Sequence, residues 1–435
     1  MNLKEPLTLS KEFHDIMSEM EGAGQSLLIT GKAGTGKSTL LQVFRNTTKK
    51  KVAVLAPTGI AALNVRGQTI HSFFGFPPNM INPSNIRKTA QHRLYKNLDA
   101  IIIDEISMVR ADIMDNINVF LKKNRGNNKP FGGVQMFFFG DLFQLPPVVA
   151  TDFEKHFFEN HYASPYFFSA KVLQSEVTYP MVELTKVFRQ SDNRFIEILN
   201  RIRLNETDYD DLEALNRRCL NIQKFHDSYI TLCTRNYTAQ ALNRKALQEI
   251  KTNVFHYKAH ISGTFQSNLF PTEEMLALKV GAQVMFIKND PEKRFVNGTI
   301  GKISRLEKES VYVTIKNDGL DQHLEIEVEK LEWEIIRYTR TDEQNGMINT
   351  EVIGSFVQYP LKLAWAITIH KSQGKTFDQV IIDLEGGAFE YGQSYVALSR
   401  CKSLEGIILK KPLKKSDILI DERVCGFYRS KQYYL

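Results

Sequence analysis

Cysteine is scarce in this chain. Its four cysteines, Cys219, Cys233, Cys401 and Cys425, form no C-x-x-C pair. That spacing argues against a disulfide framework, a zinc site or an iron–sulfur cluster, and predicts reduced, mostly buried thiols. Long apolar runs are missing too: none approaches the ~20 residues that span a bilayer. The opening Met1-Asn2-Leu3-Lys4-Glu5 has neither an apolar signal core nor an Arg/Ser-rich transit pattern. The expectation is a soluble cytoplasmic protein, nucleoid-associated if bacterial. Internal repeats and low-complexity stretches are also lacking, which excludes solenoids and arrays. Neither sign of charge dominates: 56 Lys and Arg against 49 Asp and Glu leave a net charge of +7. That mild excess is compatible with a polyanionic partner without requiring one. What remains is an ordinary folded composition, 43% hydrophobic and 24% charged over 435 residues, a length that predicts two to four domains.

The chain is organised around Gly31-Lys32-Ala33-Gly34-Thr35-Gly36-Lys37-Ser38-Thr39, a complete G-x-x-x-x-G-K-[ST] phosphate loop. The stretch Ser26 to Thr30 before it reads as a buried strand and Ser38 to Arg45 after it as a helix, the context that the motif requires. Glycines at 34 and 36 let backbone N–H groups close around a triphosphate, and the helix N-terminus adds its positive end. Lys37 would reach the β- and γ-phosphates, and the Ser38 hydroxyl would join a Mg²⁺ shell. ATP and Mg²⁺ are therefore the expected cofactors, with Gly34, Thr35, Gly36, Lys37, Ser38 and Thr39 as nucleotide-binding positions.

Strand-like segments recur with helical ones between them. Lys51 to Ala56 ends at the Pro57-Thr58-Gly59 turn, and Asp99 to Glu105 ends in Asp104-Glu105. Two acids closing an apolar strand downstream of a phosphate loop are the other half of a nucleoside-triphosphatase site: Asp104 for the metal, Glu105 for the attacking water. Val134 to Asp141 is a fourth strand, and it leads into Leu142-Phe143-Gln144-Leu145-Pro146-Pro147. Gln144 thus sits past a strand's carboxyl end, where open α/β sheets place their sites. This alternation predicts a parallel sheet with helices on both faces. Residues 150 to 180 read as irregular. A helix from Asn193 to Ile202, a strand from Tyr229 to Thr234 and a helix from Asn236 to Ile250 begin a second α/β unit. From about 253, short alternating strands with turns at Asn297-Gly298 and Asp318-Gly319 predict an inserted antiparallel barrel. The α/β pattern then resumes, with Leu361 to His370 read as a helix.

Several blocks together are more specific than any one: Gly31 to Thr39, Ala56-Pro57-Thr58-Gly59, Ile101 to Val109, Gly140 to Pro147, Thr368 to Gly374, and Tyr395-Val396-Ala397-Leu398-Ser399-Arg400. Their order resembles superfamily 1 DNA helicases, specifically the PIF (petite integration frequency) family and its RecD-like relatives. Glu183 to Arg203, containing V-F-R-Q and L-N-R-I-R, is similar to that family's signature stretch. The resemblance runs from about residue 7 to 410 and is to a helicase core without terminal extensions.

The resemblance implies an α/β fold of two RecA-like P-loop domains plus a small inserted antiparallel β-barrel. The first domain would cover residues 1–175, with 62–80 as a wedge insertion; the second, 176–252 and 355–435; the barrel, 253–354. It implies an ATP-dependent 5′ to 3′ DNA helicase, monomeric without DNA, whose partners are single-stranded and duplex or fork DNA. Lys37, Glu105, Gln144, Arg189 and Arg400 would be catalytic, the two arginines as fingers from the second domain and Gln144 as the γ-phosphate sensor. An arginine supplied across a cleft couples hydrolysis to domain motion. Ser38 and Asp104 would hold Mg²⁺, and Asp104 and Gly374 would also belong to the nucleotide site. Thr58, His71, Phe73, Thr234, His370 and Ser372 would contact DNA. For His71 and His370 a structural role stays open, as does core packing for the Phe73-Phe74-Phe76 cluster. Lys288, Lys293, Arg294 and Lys302 read as a solvated face that could also meet DNA. The family usually reads L-S-x-x-Q where this chain has Leu9-Ser10-Lys11-Glu12-Phe13, which puts base selectivity in question. Two rival readings are a nucleotide-switched single-stranded-DNA binding protein and a translocase subunit of a nuclease complex; RNA unwinding is a third.

Overall fold

The protein is described by a computed structural model covering residues 10–22, 24–77, 80–220, 229–290, 292, 294–316, 323–340 and 348–432. Leu9, Lys293 and the Asp318-Gly319 turn lie outside the described residues. Six parallel strands form the first sheet, in the order Gln68–Thr69, Val52–Ala56, Ala100–Ile103, Gln135–Phe139, Leu27–Gly31 and Met181–Leu184. Their near-continuous apolar runs follow from burial on both faces. Successive residues split between the two layers: Leu27 and Ile29 pack with Phe13, Leu40 and Phe44, whereas Leu28 packs with Phe74, Ile117 and Phe120. Ser10 caps the first helix, Lys11–Glu21, by accepting from the Phe13 N–H.

A second parallel sheet runs Ala366–Thr368, Ile230–Cys233, Val380–Asp383 and Ile407–Leu409. Its core includes Phe195, Ile198, Leu232, Val380 and Val396. Between the two halves lie antiparallel strands: Val254–Lys258 with Met275–Lys279, a five-stranded sheet from His323–Val328 to Leu361–Leu363, and Leu331–Arg340 with Ile348–Gln358 and His260–Gly263.

Several expectations are corrected. Met181–Leu184, past residue 175, pairs with Leu28 to Gly31 and so belongs to the first sheet. Within residues 62–80, Gln68–Thr69 is an edge strand of the first sheet, and Thr69 caps the helix Ile70–Phe74. The segment 361–370 is not a helix. Leu361–Leu363 joins the five-stranded sheet and Ala366–Thr368 the second parallel sheet, because a short apolar run buried on both sides carries no period that separates strand from helix. The segment 150–180 is partly helical, with a Thr151–Glu154 capping box opening Asp152–His161. Among the described residues the antiparallel part is made of three sheets. The two- and five-stranded sheets share a core of Tyr257, Leu278, Val284, Phe286 and Val313.

The long hairpin of the inserted part reaches back to the first domain. The edge strand beside Val52–Ala56 is only two residues long, so part of its ladder lacks a strand partner. The Val54 N–H donates instead to the Tyr338 hydroxyl, at 2.9 Å. The Tyr338 ring meets Phe73 edge-on, 5.6 Å between centroids.

Candidate active site between two parallel sheets

The phosphate loop owes its shape to glycine. Gly34 and Gly36 both have φ of +85°. A Cβ on Gly34 would lie 2.6 Å from the Arg189 Cβ, and one on Gly36 would lie 3.0 Å from Phe13 Cζ. Left-handed backbone and close neighbours therefore both require a missing side chain. The Thr35 hydroxyl ties the loop by donating to the Lys32 carbonyl at 2.9 Å. Lys37 opens the helix Lys37–Thr47 and donates to the carbonyls of Gly31 and Lys32, at 2.6 and 2.9 Å. Burial lowers its pKa to about 8, against the opposing pull of Asp141 and Glu105. Ser38 and Thr39 are exposed on the same turn.

Asp104 and Glu105 close the strand Ala100–Ile103. Glu105 adopts φ +50° and ψ +46°, a left-handed conformation that costs a non-glycine residue ~1 kcal/mol or more and marks functional turns. Burial raises both carboxyls, and each sits among charges: Asp104 beside Glu105, and Glu105 beside Lys37 and Arg400. No group of three or more metal-ligating side chains occurs among the described residues. Ser38 and Asp104 fit Mg²⁺, which takes one or two protein oxygens and completes its shell with phosphate oxygens and water.

The opposite wall comes from two later segments, one around Arg189 and one around Arg400. The Phe188 N–H donates to the Gly34 carbonyl at 2.9 Å. Arg189 Nη1 and Gln190 Nε2 both donate to the Ser399 carbonyl, at 3.0 and 3.2 Å. That pairing brings Arg189 beside Arg400, whose guanidinium donates to Val396 O and Ser399 Oγ, each at 2.9 Å. Arg400 is only 1% exposed. Burial lowers both pKa values, Arg189 to about 9 with Arg400 as its second cause. Gln144 is buried and donates to Asp141 at 3.4 Å.

A buried polar network behind this wall was not anticipated. The Tyr395 hydroxyl accepts from the Ala33 N–H at 2.9 Å and donates to Asp141 at 3.2 Å. Arg203 is 4% exposed, pairs with Asp141 and Glu183 at 3.2 and 3.4 Å, and faces the rings of Phe143 and Tyr428. Tyr428 in turn bonds Thr30 at 2.6 Å. Burial opposes the Arg203 charge, but Asp141, Tyr428, Tyr395 and Glu183 together outweigh it, so its pKa rises. Asp141 and Arg203 lie in the quoted Gly140 to Pro147 and L-N-R-I-R blocks, but nothing local shows that they meet. Arg203→Leu should cost ~3–5 kcal/mol in chemical denaturation, because Asp141 would stay buried without its partner. A loss under 1 kcal/mol would contradict this pairing.

The DNA-contact expectations divide. Thr58, Thr234 and His370 follow the carboxyl ends of parallel strands, and Thr58 is exposed while capping Gly59–Asn64. His71 is half-buried, and burial lowers its pKa. His370 bonds Glu390 at 3.1 Å. Phe73 is 5% exposed and packs among Phe74, Tyr95 and Tyr338, the core-packing alternative that its sequence left open. Ser372 is fully buried and its hydroxyl is used by the Ile369 carbonyl at 2.6 Å. Gly374 sits on an open loop where a Cβ would meet nothing within 4 Å, so it forms no cradle like Gly34 and Gly36. All four cysteines are free thiols, as expected. No helix among the described residues is long and apolar enough to cross a membrane.

Comparison with known proteins gives a consistent picture. The family described as PIF1-like helicase matches residues 8–212, and the family described as DNA helicase Pif1, 2B domain, matches residues 263–306. An ATP-dependent DNA helicase Pif1 of Bdellovibrio bacteriovorus is 32% identical, over 94% of this chain and 89% of that relative. A solved Bacteroides Pif1 in complex with ADP-AlF4 is 37% identical, covers 99% of this chain and 98% of that one, and superposes with a TM-score of 0.91. Bacteroides Pif1 with ADP-AlF3 and single-stranded DNA, 38% identical over 98% of each chain, gives 0.70. The domains here are thus arranged more as in the first complex. The chain spans about three-fifths of the length of the Emericella nidulans and human relatives that it also matches.

Proposed function

This chain belongs to the PIF1-like helicase family, and from that premise we propose that it is an ATP-dependent DNA helicase that moves 5′ to 3′ along a single strand. The observation that carries the reading is the convergence of Arg189 and Arg400 on the wall that faces Glu105 and the phosphate loop. Lys37 and the N–H groups around Gly34 and Gly36 would hold the phosphates. Ser38 and Asp104 would hold Mg²⁺, which when bound neutralises charge on the phosphate oxygens. Glu105 would accept a proton from the attacking water, its buried carboxylate kept near Lys37 and Arg400. The two guanidinium groups would stabilise charge on the transferring phosphoryl group. Gln144, bonded to Asp141, would read the γ-phosphate and pass its presence to Arg203 and Tyr395 on the second domain.

Domain motion follows from this split ownership. With the triphosphate in place the second domain's arginines are drawn in, and after hydrolysis that attraction weakens. Thr58 on the first domain and Thr234 and His370 on the second would grip backbone phosphates alternately, without reading sequence. Helix-capping and loop-end donors suit that task. We place the first RecA-like domain before about Leu184, the second at 185–252 and 364–435, and the inserted antiparallel domain between its halves.

Strand displacement from 5′-tailed and 3′-tailed duplexes tests the proposal. The 5′-tailed substrate should be unwound with ATP and Mg²⁺, and the 3′-tailed one left intact. Turnover that single-stranded DNA does not stimulate, or displacement confined to the 3′ tail, would overturn it.

A further inference from the structure

The last helix, Glu422–Gln432, follows the second parallel sheet along the chain, yet its apolar face joins the core of the first. Val424, Phe427 and Tyr428 recur at helical spacing and are buried, and Lys431 continues the stripe one turn on. Phe427 stacks on Phe168 with centroids 4.4 Å apart, and Tyr428 lies 4.9 Å from Phe143. The Lys431 ammonium sits 3.6 Å from the centre of the Tyr179 ring. The segment leading into this helix stays with the second sheet. Leu413 and Asn216 exchange hydrogen bonds at 2.7 and 3.0 Å, Leu413 and Ile418 share a core with Phe195 and Val396, and the Gly392 N–H donates to the Leu419 carbonyl at 2.9 Å. The end of the chain is thus a strap that crosses back over the cleft.

On the apolar stripe of this helix, Tyr428 carries a hydroxyl, and a phenylalanine would fill the same space. A buried hydroxyl costs stability unless it is bonded. This one lies 2.6 Å from Thr30 Oγ1 and accepts from Arg203 Nη2 at 3.3 Å. Thr30 is fully buried in the strand Leu27–Gly31, directly before the phosphate loop. Arg203 belongs to the helix Asn193–Leu204 of the second domain, and it pairs with Asp141. Gln144 and the Tyr395 hydroxyl donate to that same Asp141, and Tyr395 in turn accepts from the Ala33 N–H. The phosphate loop is therefore tied at two points, Thr30 before it and Ala33 within it, and both ties lead to the pair of Asp141 and Arg203.

We propose that Tyr428 is a positioning residue for ATP hydrolysis. Its hydroxyl fixes the start of the phosphate loop against Arg203, so that the loop and Gln144 stand in register with the second domain's arginines. The proposal rests on the helicase reading, and it adds to the site an element outside the motif blocks, which end at Arg400. A bond that joins the two domains acts on the turnover of bound nucleotide. Binding itself belongs to Lys37 and the loop N–H groups, all on the first domain.

Steady-state ATP turnover with saturating oligothymidylate tests this, alongside thermal unfolding of the same preparations. Tyr428→Phe keeps the ring and removes the oxygen. Its kcat should fall ~10-fold, the rate equivalent of one hydrogen bond, while KM for ATP stays within about twofold. Thr30→Val removes the same bond from the other side and should give the same fall, and the double variant should fall no further than either single one. Phe427→Leu disturbs the same helix without touching the bond, so it should lower the thermal midpoint and leave kcat unchanged. Unchanged kcat in Tyr428→Phe, a change confined to KM, additive losses in the double variant, or an equal loss of kcat in Phe427→Leu would each overturn the positioning role. An unmodified protein whose turnover DNA does not stimulate would instead overturn the helicase reading beneath it.

Discussion

Arg400→Ala and Arg189→Ala should each lower DNA-stimulated ATP turnover by ~10³-fold or more, the range in which an arginine acts on a transferring phosphoryl group. The geometry explains why neither can replace the other. Arg189 reaches the cleft from the stretch that also donates to Gly34, whereas Arg400 is held by its own helix through Val396 and Ser399. Both are anchored to oxygen atoms of the Val396–Ser399 segment, so removing one leaves the other correctly placed but alone. Nucleotide binding should survive, because the phosphate loop and Lys37 belong to the first domain. Steady-state phosphate release, paired with binding of a fluorescent nucleotide, reads the two effects separately. Normal affinity together with normal turnover would exclude a finger role for the residue changed. Arg400→Lys is not a conservative control, since a lysine keeps the charge and loses the planar fork that Ser399 and Val396 orient.

Lys37→Ala should reduce both ATP turnover and unwinding by ~10²–10³-fold, the loss seen when one electrostatic contact to developing charge is removed. Single-strand binding should persist. In the present arrangement the Lys37 ammonium is held by Gly31 and Lys32 carbonyls and stands among Asp141, Glu105, Arg203 and Arg189. It is therefore a shared charge for the whole cleft and not a surface residue. Phosphate release and strand displacement measured on one preparation would decide the matter, and turnover within tenfold of the unmodified protein would refute the site.

Much of this site could be read locally. A phosphate loop is a backbone conformation dictated by glycine spacing, and an Asp-Glu pair at a strand end is a local arrangement. Gly34, Gly36, Lys37, Asp104 and Glu105 are close because strand Leu27–Gly31 and strand Ala100–Ile103 lie in one sheet whose order follows common α/β rules. Phe73 and Ser372 could not be placed in this way. An aromatic beside a glycine, or a hydroxyl in a loop, reads the same whether it faces solvent or packs inward. Only the neighbours Tyr95 and Tyr338, and the Ile369 carbonyl, decide the matter. The segment 361–370, read as a helix, holds two strands for a related reason, since short buried strands lack the polar alternation that identifies them.

The sequence by itself determined that a triphosphate is held in a glycine-built loop, that two acids face it, and that two arginines lie in flanking motifs some 200 residues apart along the chain, at 189 and 400. Those are properties of short stretches, set by φ/ψ limits and side-chain chemistry. The tertiary structure alone decided that Arg189 and Arg400 share the Ser399 segment, and that Arg203 pairs with Asp141 across the cleft. Each of those depends on which distant segments pack together. Burial there changes what a charge costs, and no local pattern records it.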